Sequence, residues 1–441
     1  MLKCGFYEKE FTPPLGCCMS GYFTKRLAEG VKVPLCVKAV AVRDDAGRCV
    51  ILVTLDAQFL MNSVYQTAVK RITEATGVSA ENIMINATHI HTGGPVKDYD
   101  NIPFYEMDKE FLNVYSRIIG DCAVLAYQRL APVTVTYAKK DVRGVSFVRV
   151  YRMKDGSLRT NPGRQNPDIV EPMTDIDPEL PVLFFLGEDG NPKGAVVNFA
   201  LHHDCVGGTL YSSDYSGVMA RELKKTFGMD FVTVFLNGAC GDINHVDVNM
   251  PAPPDRDVSP QIGKRLADEV VYLYSVAERI NADVVNAEME VLKIPRLRVS
   301  DADAKKAEEL IERIPLEGLC IDMSNPESDV YKRANAEYLL SFHKKPLELE
   351  VPVQAIRIGD AVIFSSSGEL FNEIGKEMKQ NSPFSINLVA ELANGGPCCY
   401  VPTKRAFTPT VYESQTGTAH LIPEAAEMIA ECAVKLANKL L

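Results

Sequence analysis

Strand-like and helix-like segments alternate over most of the 441 residues. This predicts a mixed α/β fold with largely buried mixed sheets flanked by helices. Three observations carry the expectation. Short apolar runs such as Cys49–Leu55 and Ile83–Ala87 have the length of buried strands. Segments with apolar residues at helical spacing lie between them, as in Ser63–Thr76, which is closed by Gly77. The composition, 46% hydrophobic and 24% charged, is that of a chain able to bury a large core.

The elements follow in order. Cys49–Leu55, the helix Ser63–Thr76 and Ile83–Ala87 form a strand-helix-strand unit, which implies parallel pairing. Ligand crevices in such sheets lie beyond the carboxyl ends of the strands, so Asp56 and His89 are expected on one rim. Tyr105–Leu130 reads as a long amphipathic helix. Pro181–Leu186 and Gly194–Ala200 read as a hairpin turning at Glu188-Asp189-Gly190-Asn191. Ser216–Phe227 is helical and Val232–Leu236 is a strand. Ser300–Phe342 is charged and helical in pattern, like an inserted helical hairpin. Leu349–Phe364 alternates as a hairpin around Gly359-Asp360, and Pro423–Leu440 is an amphipathic helix with proline near its first turn. There is no repeat, low-complexity tract or linker. The expected organisation is one domain over residues 1–441 with a helical insertion at about 300–345.

Charge and cysteine usage exclude several classes. The net charge is −11 and no Lys/Arg-rich run is present, so nucleic acid is not an expected partner. No stretch approaches the roughly 18 apolar residues of a membrane span. Met1–Glu8 lacks the apolar region of a signal peptide. The twelve cysteines include no CxxC pair. They are expected to be reduced thiols of a cytoplasmic protein, most of them small buried apolar residues.

The chemistry gathers at histidine. Five of only seven sit in three short strings, Thr88–Pro95, Leu201–Cys205 and Gly241–Asp247. Each string follows directly on a predicted strand, so convergence on one crevice is plausible. A catalytic zinc ion takes three protein ligands from His, Asp, Glu or Cys and keeps one position open. His89 and His202 suit this, and Glu369 behind Gly368 is a third candidate. Singly, each is weak. A histidine at a strand end is more often hydrogen-bonded structure, and a glutamate at a helix start is usually a favourable charge near the helix dipole. Strand alternation would let His89 and His91 share one face, one on the metal and one on substrate. His203 is expected either to support the ligands from behind or to be structural. Asp204, Asp214, Asp242 and Asp247 are best read as caps and turns, with ligand and supporting roles left open.

Taken together and in order, these strings resemble the neutral (non-lysosomal) ceramidase family, in its N-terminal catalytic domain. Phe11-Thr12-Pro13-Pro14-Leu15-Gly16 with Gly21-Tyr22 is similar to the family's N-terminal signature. Thr88-His89-Ile90-His91-Thr92-Gly93-Gly94-Pro95 is similar to its THTHSGP motif. Asn198–His202 with Ser213–Gly217 resembles its second histidine motif, and Asn237–Asn244 its Gly-Asp loop. Ser367-Gly368-Glu369 resembles its PGE motif, and Tyr400–Thr403 with Tyr412-Glu413 its late tyrosine pair. The resemblance implies a zinc ion held by His89, His202, Glu369 and Tyr400. Nothing local marks Tyr400. It also implies that His91, Arg149 and Tyr412 line the substrate site, holding the amide carbonyl and its oxyanion.

Two departures bear on mechanism. Asn244 stands where ceramidases carry a serine, so a zinc-bound hydroxide, not a side chain, is the expected attacker, with Asn244 at most a hydrogen-bond donor. The chain also stops soon after Tyr412, without the Ig-like domain of the full enzymes. The expectation is therefore a zinc-dependent amide hydrolase acting on a small-molecule or lipid amide. The alternatives are a hydrolase of a small polar amide or ester, and a non-catalytic ligand-binding relative.

Overall fold

Four stretches near the N-terminus become strands: Lys3–Glu10 (β1), Cys36–Arg43 (β2), Cys49–Leu55 (β3) and Ile83–Ala87 (β4). In the computed structural model, which describes residues 2–22, 26–94, 109–315 and 328–441, β3 and β4 are buried along their whole length. Their boundaries are those expected from the apolar runs. Helix α1 (Asn62–Thr76) joins them, and Gly77 ends it at φ 74°, a left-handed conformation that glycine adopts without a Cβ penalty. The pairing of β3 with β4 is parallel, as the strand-helix-strand pattern requires. Helix α2 (Lys109–Gln128) follows; residues 105–108 of its expected span lie outside the described residues.

Strands β5 (Ala131–Asp141), β6 (Glu179–Gly187), β7 (Pro192–Phe199) and β8 (Val232–Asn237) extend the same sheet, with α3 (Asp214–Phe227) crossing between β7 and β8. The strand order is β8-β7-β6-β5-β1-β2-β3-β4. β6 and β7 form the expected hairpin, and β7 pairs with β8 in parallel. The sheet is thus mixed, with one parallel pair at each end. Its middle is weak: β1 meets β5 at only two residue pairs, Lys3↔Pro132 and Cys4↔Ala131. The sheet folds at that seam, and its two ends come together. β8 packs on β2, β3 and β4, and the Thr54 hydroxyl donates to the Phe235 carbonyl at 2.7 Å.

A second sheet completes the molecule. β9 (Val285–Pro295), β10 (Glu348–Ile358), β11 (Ala361–Ser366) and β12 (Ile386–Ala390) pair in that order, and β11 runs parallel to β12. Between β9 and β10 stand helices α5 (Asp301–Arg313) and α6 (Asp329–His343), inside the predicted insertion; residues 316–327 lie outside the described ones. The remaining helices are α4 (Ser259–Val276), α7 (Asn372–Gln380) and α8 (Ala425–Lys439).

Packing follows from these two sheets. Val42, Leu52, Phe185, Val234, Ile356 and Ile363 belong to one central core where inner faces of both sheets meet. Helices α1 and α2 cover β2 and β3 on one side, α3 and α4 cover β6–β8, and α7 and α8 cover the second sheet. Buried polar side chains pin the seams. Asn198 in β7 donates to the Leu236 and Val389 carbonyls and accepts from the Val389 N–H, at 2.7–3.0 Å. Asn394 Oδ1 accepts from the Ile85 N–H at 3.1 Å, while the Asn394 backbone N–H donates to the Ile85 carbonyl at 2.8 Å. Such groups hold position because leaving them unpaired would cost about 1–3 kcal/mol each. The three parallel pairs therefore present their carboxyl ends to one region.

Candidate metal centre

The loops leaving those carboxyl ends carry the site. β4 runs into His89, β7 into His202, β8 into the Gly-Asp loop, and β11 into Glu369. His89 and His91 do not lie on a strand, contrary to the alternation expected of them. β4 ends at Ala87, and His89 sits at φ 70°, a left-handed turn that swings both imidazoles to the same point. The Nε2 atoms of His89 and His202 are 3.0 Å apart, and that of His91 is 3.3 Å from His89. Glu369 Oε2 lies 3.2 Å from His89 Nε2 and 3.9 Å from His202 Nε2.

Protons cannot satisfy this cluster. His89 Nδ1 is 2.9 Å from the Gln58 carbonyl and His202 Nδ1 is 3.4 Å from the Cys240 carbonyl. A carbonyl only accepts, so each Nδ1 carries a hydrogen, and in the neutral ring Nε2 keeps a lone pair that can meet an ion. Burial, followed by the neighbouring His89 ring, holds His91 down to about 3 and His202 well below its ordinary value. Burial raises the Glu369 carboxyl, but His89 and the Tyr400 hydroxyl outweigh it, so the group stays ionised. Apart from the His89 ring, Glu369 Oε2 has no hydrogen-bond donor among the described residues. Acceptors thus face acceptors in a buried space, which is unfavourable unless a cation lies between them. Ligands about 2.0–2.1 Å from a tetrahedral zinc lie roughly 3.3 Å from one another, close to the spacings observed. The donor set fits a divalent ion.

Tyr400 and Glu369 are register partners in a two-strand parallel ladder, Glu369–Leu370 with Tyr400–Val401. The Tyr400 hydroxyl is hydrogen-bonded to Glu369 and to Arg149. Arg149 stacks on the Tyr400 ring at 5.3 Å, donates to the Gly241 carbonyl at 2.6 Å, and pairs through Nε with Glu413 at 2.7 Å. Burial opposes its charge, but Tyr400 and Glu413 more than compensate. Tyr412 packs edge-on against Tyr400 at 5.8 Å and is 37% exposed, so it sits at the outer rim. Seven of the eight candidate site residues, His89, His91, His202, Glu369, Tyr400, Arg149 and Tyr412, are thus gathered in one place.

Asn244 stands slightly apart. It belongs to a short antiparallel ladder with Phe147–Val148, adjacent to Arg149. Its Oδ1 accepts from the Val246 N–H and its Nδ2 donates to Asn161. Its amide shapes the loop.

Several supporting residues carry little local signal in the chain. Gly21 passes so close to His91 that a Cβ there would lie 2.5 Å from the His91 Cα. Gly241 is pressed against the Glu369 carbonyl in the same way, at 2.6 Å. Glu391, fully buried after β12, accepts from the Cys240 N–H, the Cys240 thiol and Asn237, fixing the carbonyl that faces His202. Burial pushes its carboxyl well above the usual range. Glu413 follows Tyr412 and is fully buried.

The remaining histidines and aspartates divide. His203 stacks on Tyr215 at 4.0 Å and has no hydrogen-bond partner at either ring nitrogen among the described residues, so it is apolar packing as expected. Asp214, Asp242 and Asp247 accept from backbone N–H groups at Tyr215, Asn372 and Asn249, the cap and turn roles expected. Asp204 is different. It pairs with His245 at 3.1 Å, and the hydrogen bond overrides burial to hold its carboxyl at about 2. Asp204, Cys205 and His245 also lie close enough for their donor atoms to share an ion. Cys4, Cys49, Cys122, Cys205, Cys240 and Cys432 are buried thiols, in line with a packing role.

Comparison with known proteins identifies the family and the fold. The profile of the neutral/alkaline non-lysosomal ceramidase family, N-terminal region, matches residues 5–250. The neutral ceramidase of Pseudomonas aeruginosa is 27% identical over 191 residues, covering 42% of this chain and 27% of that protein. That of Drosophila melanogaster is 25% identical over 259 residues, 55% of this chain and 36% of the relative. The matched stretch therefore spans between about a quarter and a third of these relatives' length. Over the whole chain, the fold superposes on the crystal structure of the P. aeruginosa enzyme with a TM-score of 0.75 at 18% identity, covering 74% of that structure. A ceramidase complexed with C2 gives the same TM-score at 17% identity.

Proposed function

The chain belongs to the neutral/alkaline non-lysosomal ceramidase family, and from that premise we propose that it is a zinc-dependent hydrolase of an N-acyl amide. A ceramide-type lipid amide is the substrate class the family favours. The observation that carries the reading is the meeting of His89, His202 and Glu369 lone pairs at 3.0–3.9 Å in a buried space. His89, His202 and Glu369 would hold the ion, with Tyr400 beside Glu369. A bound zinc ion supplies Lewis acidity toward a carbonyl oxygen and acidifies water to near neutral pH.

The chain's own residues do the rest. Gln58 and Cys240 carbonyls fix the imidazole tautomers, and the folded backbone at Gly21 and Gly241 sets how closely the loops approach. Arg149 stays cationic between Tyr400 and Glu413, where it can stabilise negative charge growing on a substrate carbonyl. His91, kept neutral by burial, is suited to orient that carbonyl. Asn244 is no nucleophile, so water is the attacking species. Tyr412, at the rim, suits contact with the part of the substrate away from the scissile bond.

Metal analysis together with hydrolysis assays tests this. About one zinc per chain is expected, and His202→Ala or Glu369→Ala should lose both the metal and at least about 100-fold of activity. A protein without zinc, with both variants as active as the parent, sinks the proposal. Long-chain N-acyl sphingoids, short N-acyl amides and esters should be assayed side by side. Turnover of short polar substrates alone would move the substrate from lipid to small polar amides or esters.

A further inference from the structure

Cleaving an amide takes a proton as well as a nucleophile. When the C–N bond breaks, its electron pair leaves on nitrogen, and an unprotonated amide anion is a very poor leaving group. A positioned acid is worth on the order of 10²–10⁴-fold in such a step. The residues described so far do not carry that proton. His202 and His91 turn their Nε2 atoms into the cradle, 3.0 and 3.3 Å from that of His89, and are occupied there. Arg149 is committed to Glu413 and Tyr400, and Asn244 does not ionise.

A second pair borders the metal cradle. Asp204 lies two residues after His202, and His245 directly follows Asn244. His245 Nδ1 is 3.1 Å from Asp204 Oδ1. The two side chains keep 15% and 23% of their exposure, whereas those of His89 and His202 keep 1%. The pair is therefore open where the cradle is closed. Asp204 is close enough to act electrostatically on His91, Arg149 and Tyr22. The Ile243–Asn244 ladder ties His245 to the strand that leads into Arg149. The charged groups facing His245 are Asp204, Asp214 at the start of α3, and Arg164 from the loop opposite. A carboxylate on Nδ1 fixes the hydrogen there and leaves Nε2 to work at the other side of the ring.

We propose that His245, oriented by Asp204, is the acid that protonates the departing amine nitrogen. This rests on the amide-hydrolase reading above. The step balances: oxygen from water adds to the acyl carbon and the C–N pair goes to nitrogen. Nitrogen takes the Nε2 proton of His245, and the proton released by the water returns to the imidazole through solvent. Burial alone would lower the His245 pKa, but the Asp204 hydrogen bond and charge outweigh it and raise it above its ordinary value, which favours the protonated ring. A raised value means that the donor is present below its pKa and lost as pH rises through it. Amide hydrolysis should therefore carry an alkaline limb set by His245.

The test compares two substrates of the zinc-loaded protein, an N-acyl amide and the matching p-nitrophenyl ester, whose leaving group needs no proton. In His245→Gln the amide kcat should fall by about 10²–10⁴-fold, the ester kcat by less than about tenfold, and the alkaline limb should vanish. Zinc content should not change, and imidazole should restore part of the amide activity of His245→Ala. Equal losses on both substrates with the limb retained, or an undiminished amide rate, overturn the proposal. So does a parent holding two zinc ions that drops to one in His245→Gln, which would make the residue a ligand. A parent that cleaves the ester but no amide overturns the amide reading itself, and this role with it.

Discussion

At Gly21 the backbone adopts φ 112° and touches His91, so a single methyl group meets both conformational strain and a backbone clash. Gly21→Ala should therefore cost at least about 2 kcal/mol of stability. It should also displace His91, and this separates it from ordinary loop substitutions. Denaturant unfolding reads the first effect and zinc affinity with amide turnover the second; an alanine variant matching the parent in all three would refute the account. At this scale the chain was partly readable. His89, His202 and Glu369 drew attention by residue type and by position after strands. Tyr400, Arg149 and Tyr412 came only through resemblance, and Glu413 and Glu391 were not singled out at all. The reason is physical: a buried carboxylate that holds an arginine or a loop looks, in sequence, like any solvated glutamate. Asp204 illustrates the converse, since a residue type suited to turns is here the partner of a histidine far along the chain.

Among the elements, α3 begins on a group whose charge state matters. Asp214 is fully buried at φ 54° and accepts from the Cys205 and Tyr215 N–H groups. Burial raises its carboxyl from 3.8 to about 7. A carboxyl with a raised folded-state pKa contributes stability that is full below pH 3.8 and is lost as pH rises through about 7. The ceiling on that loss is on the order of 4 kcal/mol. Asp242, buried and raised to about 7 at the start of α7, adds to the same slope. Urea unfolding at pH 5 and pH 8 should show the parent weaker at pH 8, and Asp214→Asn should flatten part of that difference. A slope unchanged by the substitution would show that Asp214 stays ionised. Element identity was well legible where periodicity was strong: β3, α1, β4, the β6–β7 hairpin and the β10–β11 hairpin lie where apolar patterning put them. β1, β2, β5, β9 and β12 were not foreseen. β1 and β2 carry lysines, Lys38 among them, that disguise buried strands as polar segments.

For the whole molecule, the central core is where both sheets depend on each other. Phe185, fully buried and packed edge-on against Phe6 at 5.5 Å, lies within it. Phe185→Ala should destabilise by about 3–5 kcal/mol. Because this core joins the layers that position the loops, one cooperative transition is expected to shift, read equally by far-ultraviolet dichroism and by release of the proposed metal ion. Two separated transitions would show that the sheets unfold independently. Sequence by itself determined the mixed α/β class, the strands that precede each histidine string, and the residue types able to hold a metal, because periodicity and side-chain chemistry are local properties. Tertiary structure decided that these strings share one site. The thin β1–β5 seam lets the long sheet fold so that β2, β3 and β4 meet β8, and the second sheet then delivers Glu369 and Tyr400. That closure depends on which apolar faces fill one core, a choice made by contacts between residues hundreds of positions apart.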